Sequence, residues 1–230
     1  MQKLNNIQHV FFDLDHTLWD FDKNSALTFD FIFKKHKVGT NIKDFLSFYE
    51  PINLQYWKLY RDEKVTKDYL RYHRLKDTFD ALNFTVQDNL IHQLSDDYIT
   101  NLSSFNHVFE GTFQLLDYLK TKYTLHIITN GFKEAQNNKL KASKLDHYFE
   151  TITNSESAGV KKPNPKIFNF ALNSAKAETS NSIMIGDNYE ADIQGALNIG
   201  LDAICFNYHK TELTKDIKVV QNLLDIKDYL

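Results

Sequence analysis

Cysteine occurs once, at Cys205, in a chain of 230 residues. A disulfide framework and a cysteine-based zinc site are therefore both excluded, and the single thiol reads as a buried strand residue. Charge of one sign is also lacking. The formal net charge is −3, so there is no basic footprint for a nucleic-acid polymer, and local basic residues such as Lys120 and Lys122 read as solvated helix faces. No apolar run approaches the length of a membrane span. The opening MQKLNNIQHV carries no apolar signal core. A soluble cytoplasmic protein without a membrane partner is the expectation, as monomer or homodimer. The nine histidines are scattered and form no HxxxH pair on a helix face.

Glycine and proline are scarce, at seven and three, and unevenly placed. Between Leu18 and Ser104 only Gly39 and Pro51 occur, whereas five glycines and two prolines follow Asn130. The early region has apolar residues spaced by three and four, over Asp22–Lys37, Ile42–Arg61, a segment capped by Thr66, and Gln87–Leu102. That spacing predicts a helical bundle. The late region alternates short apolar strands (124–129, 148–153, 182–185, 203–206) with helical patterns (111–122, 133–143, 165–176, 189–199). Such alternation predicts a parallel sheet covered by helices. Apolar residues make up 42% of the chain, enough for a core. The expected architecture is α/β: a Rossmann-like parallel sheet formed by 1–17 and 105–230, with an all-helical cap domain inserted over 18–104.

What is present is polar chemistry at strand ends. The apolar run Val10–Phe12 stops at Asp13-Leu14-Asp15-His16-Thr17. The strand ending at Thr129 continues as Asn130-Gly131. Lys162 precedes Pro163 in GVKKPNPKIF, and Gly186-Asp187-Asn188-Tyr189-Glu190-Ala191-Asp192 follows the strand at 182–185. In open parallel sheets, ligands bind outside the carboxyl ends of the strands. Clustered carboxylates cannot all ionise without a cation. A hard divalent ion with oxygen ligands, Mg²⁺, suits them, and commonly shares its shell with phosphate and water. A metal and a lysine neutralise phosphate, one aspartate attacks phosphorus, and another shuttles the leaving-group proton. The parts fit phosphoryl transfer.

DLDHT, the TNG turn, KP and GDNYEAD resemble, in order and spacing, the four motifs of the haloacid dehalogenase superfamily hydrolases, over essentially the whole chain. DLDHTLWDF followed by helices further resembles the superfamily's pyrimidine 5′-nucleotidases. The resemblance implies a Mg²⁺-dependent phosphomonoesterase acting on small phosphorylated metabolites, preferably pyrimidine nucleoside monophosphates. It implies Asp13 as nucleophile and metal ligand, and Asp15 as general acid and base with its main-chain carbonyl on the metal. Thr129 binds the phosphoryl group, Lys162 neutralises nucleophile and phosphate, and Asp187 completes the metal site. Asp192 supports it from behind. Leu14, Thr17, Trp19, Asn130 and Gly131 are the expected substrate-binding positions, Thr17 also orienting its loop.

Blander roles compete with several of these. Asp13 and Asp15 alone would read as a turn. Lys161 competes with Lys162, and the lysine next to proline is the one the resemblance favours. Glu190 suits the first turn of a helix by the helix dipole. His16 is read either as tuning Asp15 or as positioning its loop. Trp19 and Phe21 either stack on a nucleobase or pack the joint between sheet and cap. Tyr56, Trp57 and Tyr60 read as bundle core. Among rival activities, dehalogenation is disfavoured by the acid at Asp15, and a phosphonatase by the absence of any marked lysine among Lys58, Lys64 and Lys67. A sugar phosphatase or phosphomutase stays open. A non-catalytic phosphate-binding module is disfavoured by the complete set of acids, hydroxyl and lysine.

Overall fold

A computed structural model describes residues 3–213 and 217–230. Its chain forms two compact units. The first contains the residues up to Phe21 together with Asn106–Leu230, and the second is Asp22–Phe105. The chain thus leaves the first unit four residues later than the sequence suggests. The reason lies in Leu18 and Trp19, which are fully buried. Trp19 forms a bridge with Val108, flanked by main-chain bonds from Asp20 N to His107 O (3.1 Å) and from Phe109 N to Leu18 O (3.0 Å).

The first unit is built on β1 (His9–Phe12), β2 (Thr124–Thr129), β3 (Phe149–Asn154), β4 (Ser182–Gly186), β5 (Asp202–Phe206) and β6 (Lys218–Val220). These strands make one sheet in the order β3-β2-β1-β4-β5-β6, and every neighbouring pair is parallel. Strand order therefore reverses beside β1, and the crevice outside its carboxyl end is the topological switch point. Phe12 is level with both Ile127 and Ile185. Asp13 extends the ladder by one bond, N to Ile185 O at 2.9 Å. The polar residues after β1, β2 and β4 consequently emerge side by side. β6 lies beyond the strands expected from sequence; three residues long, it offers too short an apolar pattern to read.

Val10, Phe11 and Phe12 are wholly buried, as a strand covered on both faces requires. One face packs Phe11 and Met184 against Ile167, Phe168, Ile193 and Ala196. Among the buried polar residues of this unit, His126 lies within the sheet itself. It is 0% exposed, stacks on Phe11, and hydrogen-bonds His9 (3.1 Å) and Thr151 (2.9 Å). Burial, helped by His9, pushes its pKa down to about 4. The unfolded chain binds this proton near pH 6.5, so the unfolded state holds more protons between the two values. The His126 contribution is then complete above pH 6.5 and falls as pH drops toward 4, by up to about 3 kcal/mol. In urea denaturation of the wild type and His126→Gln, the stability difference between the two proteins should therefore shift against the wild type on going from pH 7 to pH 5, whatever the buried carboxyls add to both. Equal slopes in the two proteins would refute the assignment.

The second unit contains α1 (Phe21–His36), α2 (Ile42–Arg61), α3 (Lys67–Ala81) and α4 (Asp88–Asn101), α1 starting at the last residue of the first unit. Asn41 caps α2 through Lys43 N (2.8 Å), and Thr66 caps α3 through Tyr69 N (3.2 Å). Pro51 removes one main-chain bond inside α2, yet the helix continues, because the face carrying Phe45, Tyr49 and Tyr56 is buried. Phe29, Phe33, Phe45, Tyr49, Phe79 and Tyr98 form an aromatic core, with edge-on pairs such as Phe29–Tyr49 at 4.6 Å. Such pairs contribute about 0.5–1.5 kcal/mol each beyond area burial. Arg74 is buried among them, with its guanidinium 5.0 Å from the Tyr98 ring and a bond to Asn53 Oδ1 (3.1 Å). Of the three cap aromatics read as core, Tyr56 is buried, whereas Trp57 and Tyr60 are half-buried.

The remaining helices belong to the first unit: α5 (Thr112–Lys120), α6 (Lys133–Ala142), α7 (Ser155–Ala158), α8 (Pro165–Ala175) and α9 (Gly195–Leu197). The helix expected over 189–199 instead begins as a π-helical turn, Tyr189–Gln194, before α9. No helix among the described residues is long and apolar enough to cross a membrane.

Candidate active site

Lys162 is the hub. It is 2% exposed, and its ammonium reaches Asp13 Oδ1 (2.6 Å), Asp192 Oδ1 (2.6 Å) and Ile128 O (2.7 Å). The ammonium thus donates hydrogen bonds to Asp13 and Ile128 and pairs by charge with Asp192. Burial alone would lower the Lys162 pKa, but Asp13 and then Asp192 outweigh it and hold the ammonium above its ordinary value. The lysine beside the proline is therefore the one at the site. Asn130 fixes its main chain with a reciprocal pair, Lys162 N to Asn130 Oδ1 (2.7 Å) and Asn130 Nδ2 to Lys162 O (2.9 Å). The Asn130 side chain is thereby occupied with placing Lys162, which leaves the main-chain role expected of Asn130 untouched.

Asp13, Asp187 and Asp192 offer carboxylate oxygens within 4.8 Å of one another. Burial pushes Asp13 up to about 7, against the pull of Lys162 and with a further push from Asp192 and Asp15. Burial, then Asp192 and Asp13, holds Asp187 well above the ordinary carboxylate range. Such a cluster is starved of positive charge. Hard oxygen donors converging on one point suit a divalent cation. Asp192 is committed elsewhere, to Lys162 and, through Oδ2, to Asn188 N (3.0 Å). That leaves Asp13 and Asp187 as the acids open to a metal. Asp192 reaches this position because Gly186 has no side chain: a Cβ there would lie 2.3 Å from Asp192 Oδ2. The π-helical turn is held by Asn188, whose Oδ1 accepts from Ala191 N (2.9 Å). Such widened turns recur at functional sites.

Thr129 is buried at the end of β2. Its Oγ1 accepts from Gly131 N (3.1 Å) and from Gln136 Nε2 (2.7 Å). Both lone pairs are used, so its own proton points away from both donors and is left to donate. Gly131 N–H serves Thr129 here, which replaces the direct substrate contact expected of Gly131.

Three other expected substrate positions make contacts within the protein. The Leu14 side chain is wholly buried, and its carbonyl accepts from Leu18 N (3.0 Å) and Trp19 N (2.9 Å) to form the turn. Thr17 is buried and donates to Asp187 Oδ1 (3.4 Å), which orients an acid of the cluster. Trp19 is 0% exposed, so it presents no face to a nucleobase. Packing is its role, as it is for Phe21 beside it. His16 has a left-handed backbone (φ 61) and bonds Tyr208 Oη at 2.6 Å with stacked rings, in agreement with a loop-positioning role. Cys205 is buried under the site, where its thiol donates to Asp187 O (3.7 Å) and burial raises its pKa to about 12.

Asp15 stands apart from the triad. Its carboxylate accepts from Lys139 Nζ (2.6 Å) and from Gln136 Nε2 (2.8 Å). Neither partner was foreseen from sequence. The available signal was their spacing of three on the helix that opens just after the TNG turn, which puts both on one face.

A family model described as haloacid dehalogenase-like hydrolase matches residues 10–206. The chain belongs to the haloacid dehalogenase-like hydrolases. This hydrolase is similar to pyrimidine 5′-nucleotidase YjjG of Escherichia coli (strain K12), at 32% identity over 90% of this chain and 89% of that one. It is similar to pyrimidine 5′-nucleotidase PynA of Streptococcus pneumoniae (strain ATCC BAA-255 / R6), at 30% identity over 95% and 94% of the two chains. Among solved structures, the HAD-hydrolase YfnB from Bacillus subtilis, described as bound to magnesium, superposes with a TM-score of 0.88 at 25% identity, covering 97% of this chain and 98% of that one. The haloacid dehalogenase-like hydrolase described here is thus a phosphatase-type member of its family, with an acidic cluster suited to a metal.

Proposed function

We propose that this phosphatase hydrolyses nucleoside 5′-monophosphates, pyrimidine ones preferentially, with Mg²⁺ held by Asp13, Asp187 and the Asp15 main-chain carbonyl. The observation that carries the reading is the buried Lys162 ammonium, which joins the carboxylate of Asp13 to the carbonyl of Ile128, the residue before Thr129. The names of the two relatives supply the substrate class. When bound, the metal offsets negative charge on the phosphoryl oxygens and on Asp13.

In the first half-reaction, an Asp13 oxygen forms a bond to phosphorus as the ester P–O bond breaks. The proton of Asp15 passes to the departing ester oxygen. In the second, water forms a bond to phosphorus, the Asp13–phosphorus bond breaks, and Asp15 takes the water's proton back. Thr129 donates to a phosphoryl oxygen throughout, and Lys162 balances the charge on Asp13. Every group named here belongs to the α/β unit and addresses the phosphoryl group, so the preference among nucleosides rests on residues other than these.

Phosphate release should be measured from UMP, dUMP, dTMP, AMP, GMP, sugar phosphates and a small aromatic phosphate, with Mg²⁺ and with chelator. Metal-dependent preference for pyrimidine nucleotides is the expected result. Preference for a sugar phosphate would overturn the substrate class and keep the chemistry, and isomerised sugar phosphate without free phosphate would indicate a mutase.

A further inference from the structure

A second lysine is buried in this unit, and the two-aspartate mechanism gives it no task. Lys139 is 3% exposed on α6. Its ammonium lies 2.6 Å from Asp15 Oδ1, 4.5 Å from the centre of the Trp19 ring and 5.3 Å from that of Phe21. A lysine so placed has an acid ahead of it and aromatic faces around it, and both hold the cation in one seat. One helical turn earlier, Gln136 is also buried. Its Nε2 bridges Asp15 Oδ2 (2.8 Å) and Thr129 Oγ1 (2.7 Å). This bridge depends on the glycine of the TNG turn, since a Cβ at Gly131 would lie 2.2 Å from Gln136 Nε2.

Resting on the hydrolase reading above, we propose that Lys139 and Gln136 are positioning residues that clamp the Asp15 carboxylate for proton transfer. Each Asp15 oxygen accepts one bond and keeps a second lone pair. The clamp therefore fixes the direction of the group without using up its capacity to carry a proton. Through Gln136 it also ties Asp15 to Thr129, so that the group meeting the leaving oxygen and the group meeting the phosphoryl oxygens hold a fixed spacing. Proximity effects of this kind are sensitive to displacements of about 1 Å.

The test uses nitrophenyl phosphate with Mg²⁺ and the full chain. Nitrophenolate departs without needing a proton, so the first half-reaction tolerates a misplaced Asp15. The second does not, because water must lose its proton to Asp15. Lys139→Met should give a burst of nitrophenolate approaching one per active site, followed by steady turnover slower than wild type by about 100-fold. Lys139→Arg, which keeps the charge, should restore steady turnover to within about tenfold of wild type. A purely structural lysine would lower burst and steady rate together. Wild-type turnover alongside a Lys139→Met variant that keeps its full steady rate, or that loses rate with no burst while melting normally, overturns the clamp alone. Should Lys139→Met not fold, Gln136→Met is read by the same criteria. A wild-type protein that releases no phosphate from any ester overturns the hydrolase reading and the clamp with it.

Discussion

Asp13→Asn should reduce phosphate release by at least about 10⁴-fold, the scale on which a lost nucleophile is felt. The change is close to isosteric, so its effect on the fold is expected to be slight. Burial pushes the Asp13 carboxyl up to about 7. Near neutral pH, an uncharged side chain at this position resembles the protonated form that is already well populated. Lys162 keeps Asp192 and the Ile128 carbonyl as partners. Melting at pH 8 should accordingly be unchanged or higher in the variant, because one buried like charge has been removed from beside Asp187 and Asp192. Acid quenching during turnover should trap base-labile phosphate on the wild type and none on the variant. A variant that works within tenfold of the wild-type rate would refute Asp13 as the attacking group.

Lys162→Met should be damaging in a different way, lowering both turnover and stability. Turnover is expected to fall by about 10³-fold, as when a preorganised donor is removed from a site of developing charge. Stability is expected to fall by about 3–5 kcal/mol, because removing one partner of a buried ion pair leaves uncompensated charge. For a chain of this length that is roughly a 10 °C loss in Tm. The pH dependence follows from sign. Asp13 already has a folded pKa above its unfolded one, and loss of the Lys162 cation raises it further. The folded variant then binds more protons than the unfolded chain through the neutral range. Its stability must fall as pH rises, and more steeply than in the wild type. Thermal melts at pH 5.5 and pH 8 should show a Tm deficit that is smaller in acid. A deficit independent of pH would mean that the lysine stabilises by packing instead of by charge.

The legible parts of this molecule were those where chemistry interrupts an apolar pattern. Asp13 ends a fully buried strand, Thr129 precedes an Asn-Gly turn, and Asp187 follows a glycine at the end of β4. Each is visible because a strand core has no other use for such a residue. The order of strands and helices followed from period and spacing, and α2 was bounded as read, Ile42–Arg61. The partners were not legible. Gln136 and Lys139 look like surface residues of a polar helix, and only the folded chain reveals that both are turned inward onto Asp15. The grip of the Asn130 side chain on the distant Lys162 main chain is equally invisible in sequence, which shows only its neighbour Thr129. For Trp19 the sequence leaves both stacking on a base and packing open, and the burial that decides for packing comes with a bridge to Val108, far along the chain. Pairings across long separations are the part that period and composition do not encode.

That bridge has a further consequence. The segments on either side of the helical insert are zipped together where they leave and rejoin the sheet, by Trp19 with Val108 and by the bonds Asp20–His107 and Leu18–Phe109. The two ends of the insert are therefore tied within the α/β unit itself. Whatever lies between them bears little of the entropy of closing a loop, and lengthening it adds to that cost only logarithmically. To the α/β unit, the insert is a cassette in a clip. Natural variation or an engineer is free to lengthen, shorten or exchange Asp22–Phe105 while Asp13, Asp15, Thr129, Lys162 and Asp187 keep their places.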